Sequence, residues 1–251
     1  EVSQSLKINK KLKIVIDCGN GAAGFIAPDL YKNLGCEVIE LYSEVDGNFP
    51  NHHPDPGKVK NLKDLIQAVK THGADLGLAF DGDGDRVGMV TNNGEIVFPD
   101  RILMMLSKDV LHSQKGSIIF DVKCSNALSQ IIKENGGSPI MSPTGHFHIK
   151  NGIKKHNPLL AGEMSGHNSG ARIIEMLSKN EKSITVICNE LTMLFSTPEL
   201  NINVTDDNKF KIIKEFADNC RLEGEKNTID GLRLDFEDGW GLIRASNTTP
   251  K

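Results

Sequence analysis

The sequence predicts an α/β protein: two repeated three-layer α/β domains with mixed sheets, followed by a smaller, incomplete α+β domain. Short apolar runs bounded by turn residues alternate with segments whose apolar residues recur at helical spacing, which favours parallel strands joined by helices. The same order of elements begins near Lys13 and again at Gly116. In both repeats an acidic residue directly follows the third strand, at the edge where open sheets bind ligands. We therefore interpret the two segments as a degenerate internal repeat.

These patterns divide the chain into a lead-in and three domains. The predicted ranges are 1–11 for the lead-in, 12–115 for the first α/β domain, 116–195 for the second and 196–251 for the α+β domain. Because the chain begins without Met and stops at Lys251 with no closing element, we expect it to be a piece of something longer.

The composition indicates a protein that binds a small molecule. Lys and Arg total 29 against 33 for Asp and Glu, and no basic cluster argues for a nucleic-acid partner. No apolar run approaches the length of a membrane span, and nothing implies a partner protein. The five cysteines are odd in number and lie mostly in apolar segments, which is typical of reduced core residues in a cytoplasmic protein.

The first domain opens with a strand and a glycine-rich turn. Lys13–Asp17 is a buried-type strand, and Gly19–Gly24 follows as a full G-x-G-x-x-G before a helix that runs through Leu34. Glu40 closes the next strand at about the distance expected of a ribose-binding acid, so a dinucleotide-dependent oxidoreductase is one alternative. The other is a turn that binds no ligand, since a lone motif of this kind is weak evidence.

The rest of the first domain continues the alternation of strands and helices. Pro, Asn and Gly dominate residues 46–56, which predicts an irregular loop, and its paired histidines have no third metal ligand at a recognised spacing. Apolar residues recur at helical spacing over 59–69 and 102–110. Further strands are predicted at Leu76–Phe80, Val87–Val90 and Glu95–Phe98, with a hairpin turn at Asn92–Gly94.

The first domain is organised around Asp81, Asp83 and Asp85. They alternate with glycines between two strands, and glycine permits positive φ and a tight turn that aims three carboxylates at one point. Three hard oxygen donors without His or Cys favour Mg²⁺ over Zn²⁺. Arg86, next in the chain, is placed to donate two hydrogen bonds to a phosphate on that ion.

Two other interpretations of this segment are weaker. A solvated acidic β-turn explains one Asp-Gly pair but not three aspartates in alternation. An EF-hand calcium loop starting at Asp81 needs Gly at its sixth position and Glu at its twelfth, where this chain has Arg86 and Asn92. The sequence therefore predicts a magnesium site.

The second domain repeats the order of the first. Ser117–Asp121 is a strand, and Ser125 follows as the cap of a helix. Gly137 precedes a short strand, and Leu159–Gly162 is the third strand. Lys123 and His146 follow strand ends and would add positive charge to a cleft, although a solvated surface residue is the simpler interpretation of each alone.

The third strand of this domain opens into a polar cluster of Glu163, Met164, Ser165, Gly166 and His167. The cluster offers an acceptor, a hydroxyl and an imidazole, with a glycine that allows close backbone approach. Such groups can grip vicinal sugar hydroxyls beside a general base. A satisfied polar loop without a ligand is an equal alternative.

The last domain contains a candidate phosphate site. Alternating residues predict strands at Leu200–Val204, Leu232–Phe236 and Trp240–Ile243, with a helix over 210–216. The residues that follow the last strand are Arg244, Ala245, Ser246, Asn247, Thr248 and Thr249. An Arg followed by hydroxyl and amide side chains in a tight loop is a natural phosphate nest.

Three motifs in this order resemble those of the α-D-phosphohexomutase family. They are Asp-Gly-Asp-Gly-Asp-Arg at 81–86, Gly-Glu-Met-Ser-Gly-His at 162–167 and Arg-Ala-Ser-Asn-Thr-Thr-Pro at 244–250. The loop at 46–56 and Asp-Val-Lys-Cys at 121–124 resemble the same family. Met164 and the Asn-Thr-Thr run fit best its bacterial phosphomannomutase/phosphoglucomutase branch, and the likeness covers nearly the whole chain.

The resemblance implies a reversible interconversion of hexose 1-phosphate and hexose 6-phosphate through a phosphoserine enzyme and a 1,6-bisphosphate intermediate. The substrates would be mannose or glucose phosphates. Mg²⁺ would be held by Asp81, Asp83 and Asp85 against the phosphoserine. Arg86 would steady the transferring phosphoryl group.

The resemblance also implies roles in the other two domains. Glu163 and Ser165 would bind the sugar 3- and 4-hydroxyls, in a loop shared with Met164 and Gly166. The side chains that hold the phosphate that is not reacting would be those of Arg244, Ser246, Asn247 and Thr248, with Ala245 in the same loop. The cleft would be lined by Lys123, His146 and His167, of which His167 would move the hydroxyl proton.

Two features depart from the family pattern. The phosphoserine motif, Thr-Ala-Ser-His-Asn-Pro, is absent, so the chain as given is expected to be inactive without a phosphoserine domain. The family also carries an aromatic and acidic segment after its Gly-His pair, whereas His167 here runs directly into Asn168. The rivals to a mutase are the dinucleotide-dependent oxidoreductase and a non-catalytic sugar-phosphate-binding fragment.

Overall fold

The computed structural model describes residues 6–162, 167–192, 195, 197 and 200–246, without the side chains of 167–169. The chain divides into two compact units. The first consists of Glu1–Ser113 and Met164–Thr192, and the second of Gln114–Glu163 and Met193–Lys251. The domain boundaries inferred from sequence patterns stay predictions.

A five-stranded mixed sheet forms the centre of the first unit. Its strands are β1 (Lys13–Asp17), β2 (Glu37–Leu41), β3 (Leu76–Phe80), β4 (Val87–Thr91) and β5 (Ile96–Val97), in the order β2-β1-β3-β4-β5. β1 runs parallel to β2 and β3, whereas β4 and β5 extend the sheet by antiparallel pairing. The hairpin predicted at residues 92–94 joins β4 to β5 and is confirmed.

Helices cover both faces of this sheet. The α-helices of the described residues are, in order, α1 (Ala27–Asn33), α2 (Lys63–His72), α3 (Pro99–Ser113), α4 (Asn126–Glu134), α5 (His146–His156), α6 (His167–Ser178), α7 (Ile184–Asn189) and α8 (Lys209–Asn219). One face of the sheet packs against α2 through buried apolar side chains that include Val15, Leu65 and Val69. On the other face, Gly170 of α6 lies so close to the Tyr31 hydroxyl that a β-carbon would clash. The predicted three-layer arrangement is confirmed in this unit.

Glu175 of α6 ties the start of the chain to the first unit. Its buried carboxylate accepts hydrogen bonds from the Lys7 backbone amide at 3.0 Å and from Arg172 Nη1 at 3.0 Å, and it pairs with Lys179 Nζ at 2.9 Å. Burial raises the pKa of Glu175, but these donors lower that pKa by more, so it lies below its ordinary value.

Replacing Glu175 by Gln should therefore lower the free energy of unfolding by about 1.5–3 kcal/mol at neutral pH, the range for hydrogen bonds to charged groups. A carboxyl whose folded pKa is depressed stabilises the fold above its unfolded pKa and loses that effect as the pH falls. The difference between E175Q and the natural protein should shrink below about pH 4.3. Urea unfolding at both pH values measures it, with exposed Glu181→Gln as the control. A pH-independent difference would contradict the prediction.

A parallel sheet lies at the centre of the second unit. Its strands are β6 (Ser117–Asp121), β7 (Ser138–Ser142) and β8 (Leu160–Gly162), in the order β7-β6-β8. In both sheets the first strand of the repeat is central, and the next two flank it in parallel. α5 packs against all three strands and α4 against β7. The shared strand order supports the internal repeat, and the predicted α/β fold class is confirmed.

An antiparallel sheet completes the second unit. It contains β9 (Glu225–Asn227), β10 (Leu232–Asp235) and β11 (Trp240–Ile243), in the order β11-β10-β9, with α8 against β10. The strand predicted at Leu200–Val204 is wrong, because these residues form no strand and are mostly exposed. Alternating apolar residues make a strand only where a neighbour supplies hydrogen bonds, and no described strand pairs with this segment.

Two expectations from composition can be compared with the structure. All five cysteines are free, and four of them are buried, as expected for reduced core thiols. Among the described helices, none combines the length and the hydrophobicity that a transmembrane helix requires.

Candidate functional site

The predicted metal residues lie in the loop between β3 and β4. Asp81 N donates to the Arg86 carbonyl at 3.3 Å and Gly84 N donates to the Asp81 carbonyl at 3.0 Å, which closes the loop. Gly84 has a φ of 76°, the positive value that a tight turn needs. One carboxylate oxygen each from Asp81, Asp83 and Asp85 lies within 4.8 Å of the others. The structure therefore brings together the three residues, here called the aspartate triad.

Asp81 is the buried member of the aspartate triad. Its Oδ1 accepts a hydrogen bond from the Arg86 backbone amide at 2.9 Å, and its Oδ2 accepts one from Arg86 Nε at 2.7 Å. Burial raises the pKa of Asp81, but these two bonds, the charge of Arg86 and a contact with Asp85 together lower that pKa by more, so it lies below its ordinary value. Asp83 is exposed and Asp85 half-buried, so carboxylate oxygens of the triad are accessible to a ligand from solvent.

The aspartate triad fits a hard divalent cation. Carboxylate oxygens without nitrogen or sulfur donors are the ligand set that Mg²⁺, Mn²⁺ and Ca²⁺ prefer. Oxygens on opposite sides of Mg²⁺ lie about 4.2 Å apart, and those around Ca²⁺ about 4.8 Å. The observed limit of 4.8 Å is therefore compatible with either size of ion, with a small contraction for the smaller one.

The glycine-rich turn after β1 packs against the loop that carries the triad. The Ala22 amide donates to the Gly82 carbonyl at 2.9 Å, and a β-carbon on Gly21 would lie 2.7 Å from the same oxygen. Glycine is required there by backbone packing, which agrees with a turn that binds no ligand. Glu40, the acid of the dinucleotide alternative, is paired with Lys32 at 2.6 Å.

The contact that anchors the loop at 46–56 was missed by sequence reasoning. His52 Nε2 lies 2.9 Å from Oδ2 of Asp17, the last residue of β1, and His52 Nδ1 lies 3.1 Å from the His53 carbonyl. Burial raises the pKa of Asp17, and the neighbouring His52 opposes this shift. The ring of His53 meets Phe49 edge-on. The two histidines therefore hold the loop, and the available signal was an Asp that ends a buried strand and needs a partner.

Arg86 contacts a second carboxylate that sequence reasoning also missed. Its Nη1 donates to Oδ1 of Asp55 at 3.2 Å, in addition to the bond from Nε to Asp81. The side chain of Arg86 is 44% exposed. The guanidinium is therefore held beside the aspartate triad and is still accessible to a ligand.

The second unit gathers Lys123 and Arg244 around a buried carboxylate. Asp121 ends β6, and burial raises its pKa although both cations lower it. Lys123 Nζ lies 3.9 Å from Asp121 Oδ2. Arg244, directly after β11, donates from Nε to Asp230 Oδ2 at 3.1 Å, and the same oxygen accepts the Thr144 amide at 3.1 Å. Asp230 was not singled out from the sequence, whereas Asp121 was noted there as the residue that ends a strand and opens the Asp-Val-Lys-Cys run.

Three buried oxygens of this unit have no hydrogen-bond partner among the described residues: Asp121 Oδ2, Ser125 Oγ and Thr144 Oγ1. Ser125 occupies the N-cap position of α4 as predicted, but its side chain makes no capping bond, so that part of the prediction is wrong. Buried polar atoms are normally bonded to protein, water or a ligand. His146 begins α5 two residues after Thr144 and is exposed.

The remaining predicted site residues are described only in part. Ala245 is buried, and Ser246 follows it at the end of the described range. His167 is described as the first residue of α6, without its side chain. The predicted residues outside the described part of the chain are Glu163, Met164, Ser165, Gly166, Asn247 and Thr248. Their contacts stay predictions.

Three family models match the chain in succession. Residues 1–94 match the phosphoglucomutase/phosphomannomutase alpha/beta/alpha domain II, residues 98–194 match alpha/beta/alpha domain III, and residues 199–251 match the C-terminal domain. A phosphomannomutase/phosphoglucomutase of Pseudomonas putida is 54% identical over 267 residues, which cover 100% of this chain and 58% of that protein. A phosphoglucomutase of Neisseria gonorrhoeae is 50% identical, with 98% and 57% covered.

Solved structures agree on the fold. The X-ray structure of a phosphoglucomutase/phosphomannomutase family protein from Burkholderia thailandensis has a TM-score of 0.92 and 43% identity, covering 99% of this chain and 57% of that one. A putative phosphomannomutase from Thermus thermophilus, at 18% identity and a TM-score of 0.77, supports the fold alone, with 97% and 58% covered. The chain thus spans less than two thirds of these relatives. Since the family models match nearly all of its length, the chain belongs to the phosphoglucomutase/phosphomannomutase family.

Proposed function

We propose that the protein containing this chain is a phosphomannomutase/phosphoglucomutase that interconverts the 1-phosphates and 6-phosphates of mannose and glucose. The reaction would pass through a phosphoserine enzyme and a bound 1,6-bisphosphate. The observation that supports this most directly is the convergence of the aspartate triad beside Arg86. Carboxylates next to a guanidinium suit a cation and a phosphate held side by side.

The aspartate triad would hold Mg²⁺, which when bound neutralises charge on phosphoryl oxygens. Arg86 would donate hydrogen bonds to the transferring phosphoryl group, because the loose transition state spreads negative charge over its oxygens. Asp81 is suited to bind a cation, since its lowered pKa keeps its carboxylate ionised at neutral pH.

The remaining predicted residues would bind the sugar and the phosphate that is not reacting. Lys123 and His146 would line the cleft, and His167 would move the hydroxyl proton. The loop that grips the sugar hydroxyls would consist of Glu163, Met164, Ser165 and Gly166. The distal phosphate loop would consist of Arg244, Ala245, Ser246, Asn247 and Thr248. Asp230 supports this assignment, because its bond to Arg244 orients a guanidinium for a fixed anion site.

The phosphoserine is expected in the part of the relatives that this chain does not span. The 251 residues contain no Thr-Ala-Ser-His-Asn-Pro motif, so we expect the isolated chain to bind sugar phosphate without isomerising it. We place the protein in the cytoplasm, where thiols such as its five free cysteines stay reduced.

Phosphorus NMR of the full-length protein with Mg²⁺, glucose 1,6-bisphosphate and either glucose or mannose 1-phosphate tests the proposal. We expect the 6-phosphate resonance to replace each 1-phosphate resonance, and EDTA to stop the conversion. Calorimetric titration with NAD is the control, since tight NAD binding would support the dinucleotide-dependent oxidoreductase instead. Sugar-phosphate binding by the full-length protein without any conversion would support the non-catalytic binding alternative.

A further inference from the structure

The guanidinium of Arg86 is held by two carboxylates from different parts of the first unit. Nε donates to Asp81 Oδ2 at 2.7 Å, and Nη1 donates to Asp55 Oδ1 at 3.2 Å. Within the described residues, Nη2 has no hydrogen-bond partner. A guanidinium is planar, so two fixed nitrogens fix the plane and the direction of the third. Asp55 therefore leaves Nη2, with its two N–H donors, available to a ligand in a fixed direction.

Asp55 is itself held firmly. Its Oδ1 accepts the Gly57 amide at 3.2 Å. Lys58 Nζ lies 3.4 Å from its Oδ2, but the Lys58 side chain is 57% exposed, so this pair contributes little. Its backbone amide donates to the His53 carbonyl at 2.8 Å, and its carbonyl accepts Asn61 Nδ2 at 2.9 Å. The side chain is 18% exposed. Asp55 is therefore a fixed point against which Arg86 is braced.

The loop that carries Asp55 is anchored to the end of β1 and to the loop that carries the triad. The buried contact between His52 and Asp17 fixes the loop to the end of β1. Pro54 packs beside Gly82, where its Cγ lies 3.4 Å from the position of a β-carbon. The loop that carries Asp55 thus packs against the loop that carries the triad, although Asp55 is 31 residues from Arg86 in the chain.

Asp55 also opposes a competing contact. Arg86 Nε already lies 3.9 Å from Asp85 Oδ1, in the triad itself. Among the described residues, the other carboxylates that attract Arg86 are Asp81 and Asp85 of the triad. Without Asp55, Arg86 would be drawn across the face that a cation and a phosphoryl group need. With Asp55 present, Nη1 of the guanidinium is attracted toward Asp55 and away from Asp85.

We propose that Asp55 is a positioning residue that orients Arg86 toward the phosphoryl group. This inference rests on the proposed function, in which Arg86 donates to that group. A displacement of about 1 Å in a group that contacts the reacting atoms, here the Arg86 guanidinium, can lower the rate about 100-fold. The direct effect is on orientation, so it should appear in kcat more than in KM.

The test compares Asp55→Ala, Asp55→Asn and Lys58→Ala in the full-length protein. Lys58→Ala removes the second cation that pairs with Asp55 and leaves the contact between Asp55 and Arg86 intact, so it is the matched control. We expect kcat to fall about 10–100-fold in D55A with KM within about twofold. D55N keeps an oxygen acceptor and should recover part of the loss, and K58A should equal the natural protein.

A second readout is independent of turnover. The rate of rotation of the Arg86 guanidinium, measured by nitrogen NMR and assigned by comparison with Arg86→Lys, should rise in D55A and stay unchanged in K58A. An unchanged rotation rate or an unchanged kcat in a folded D55A variant would overturn the proposal. If the natural protein turns over no hexose phosphate, the proposed function fails; faster rotation in D55A would still show that Asp55 constrains Arg86.

Discussion

Replacing Asp83 by Asn is expected to weaken Mg²⁺ binding at least about 100-fold. Changes outside the first ligand shell typically cost about 10–100-fold in metal affinity, and the loss of a direct ligand should cost no less. Asp83 is the informative member of the triad, because it is exposed and the hydrogen bond that it accepts from the Asp85 amide, at 3.5 Å, is weak. Asp81 by contrast also holds Arg86, so its loss would mix two effects.

Isothermal titration calorimetry with MgCl₂ measures this effect, with exposed Asp29→Asn of α1 as the control. Thermal unfolding provides a second measurement, since a ligand that binds only the folded state raises the melting temperature. Mg²⁺ should raise it in the natural protein and in D29N, but not in D83N. Without metal, D83N should melt at the same temperature or higher, because one of three like charges is gone. Undiminished Mg²⁺ affinity in D83N would rule out the triad as the site.

Replacing Arg233 by Met is expected to lower the free energy of unfolding by about 3–5 kcal/mol, the cost of breaking a buried ion pair from one side. Arg233 is 1% exposed. Its Nε and Nη2 donate to the carboxylate of Asp235 at 2.9 and 2.8 Å. Its Nη1 donates to the carbonyls of Val122 and Cys124, and its Cζ lies 4.2 Å from the centre of the Trp240 ring. Met fills similar space but satisfies none of these acceptors.

Tryptophan fluorescence in urea measures this effect. Trp240 is the single tryptophan of the chain and contacts Arg233, so the signal reports unfolding around the substituted residue. Arg221→Met is the matched control. Arg221 is exposed in the same unit, so its loss should change the free energy of unfolding by less than about 0.5 kcal/mol. Equal unfolding curves for R233M and R221M would show that the buried arginine network contributes nothing to stability.

The Arg233 network also has a consequence for the site. Val122 and Cys124 flank Lys123, so the bonds from Arg233 fix the backbone on both sides of that residue. R233M should therefore weaken sugar-phosphate binding by the folded protein as well as stability. The backbone position of Lys123 thus depends on a side chain about 110 residues away in the sequence.

Local patterns predicted the elements whose causes are local. The strands at Lys13–Asp17, Leu76–Phe80, Ser117–Asp121 and Trp240–Ile243 have the predicted bounds, because an apolar run between turn residues is a property of a few neighbouring positions. Leu200–Val204 has a similar pattern and forms no strand. Its outcome depends on whether another segment supplies hydrogen bonds, which alternation alone does not encode.

The sequence by itself determined the order of the two α/β repeats, the family and the aspartate triad, since all three triad residues lie within five consecutive positions. Only the tertiary structure decided which side chains hold the predicted residues in place. His52 meets Asp17, Asp55 meets Arg86, and Arg233 meets the Val122 carbonyl across 35, 31 and 111 residues of chain. Many charged side chains could serve each partner equally well in chemistry, and packing of distant segments determines which one lies within hydrogen-bond distance.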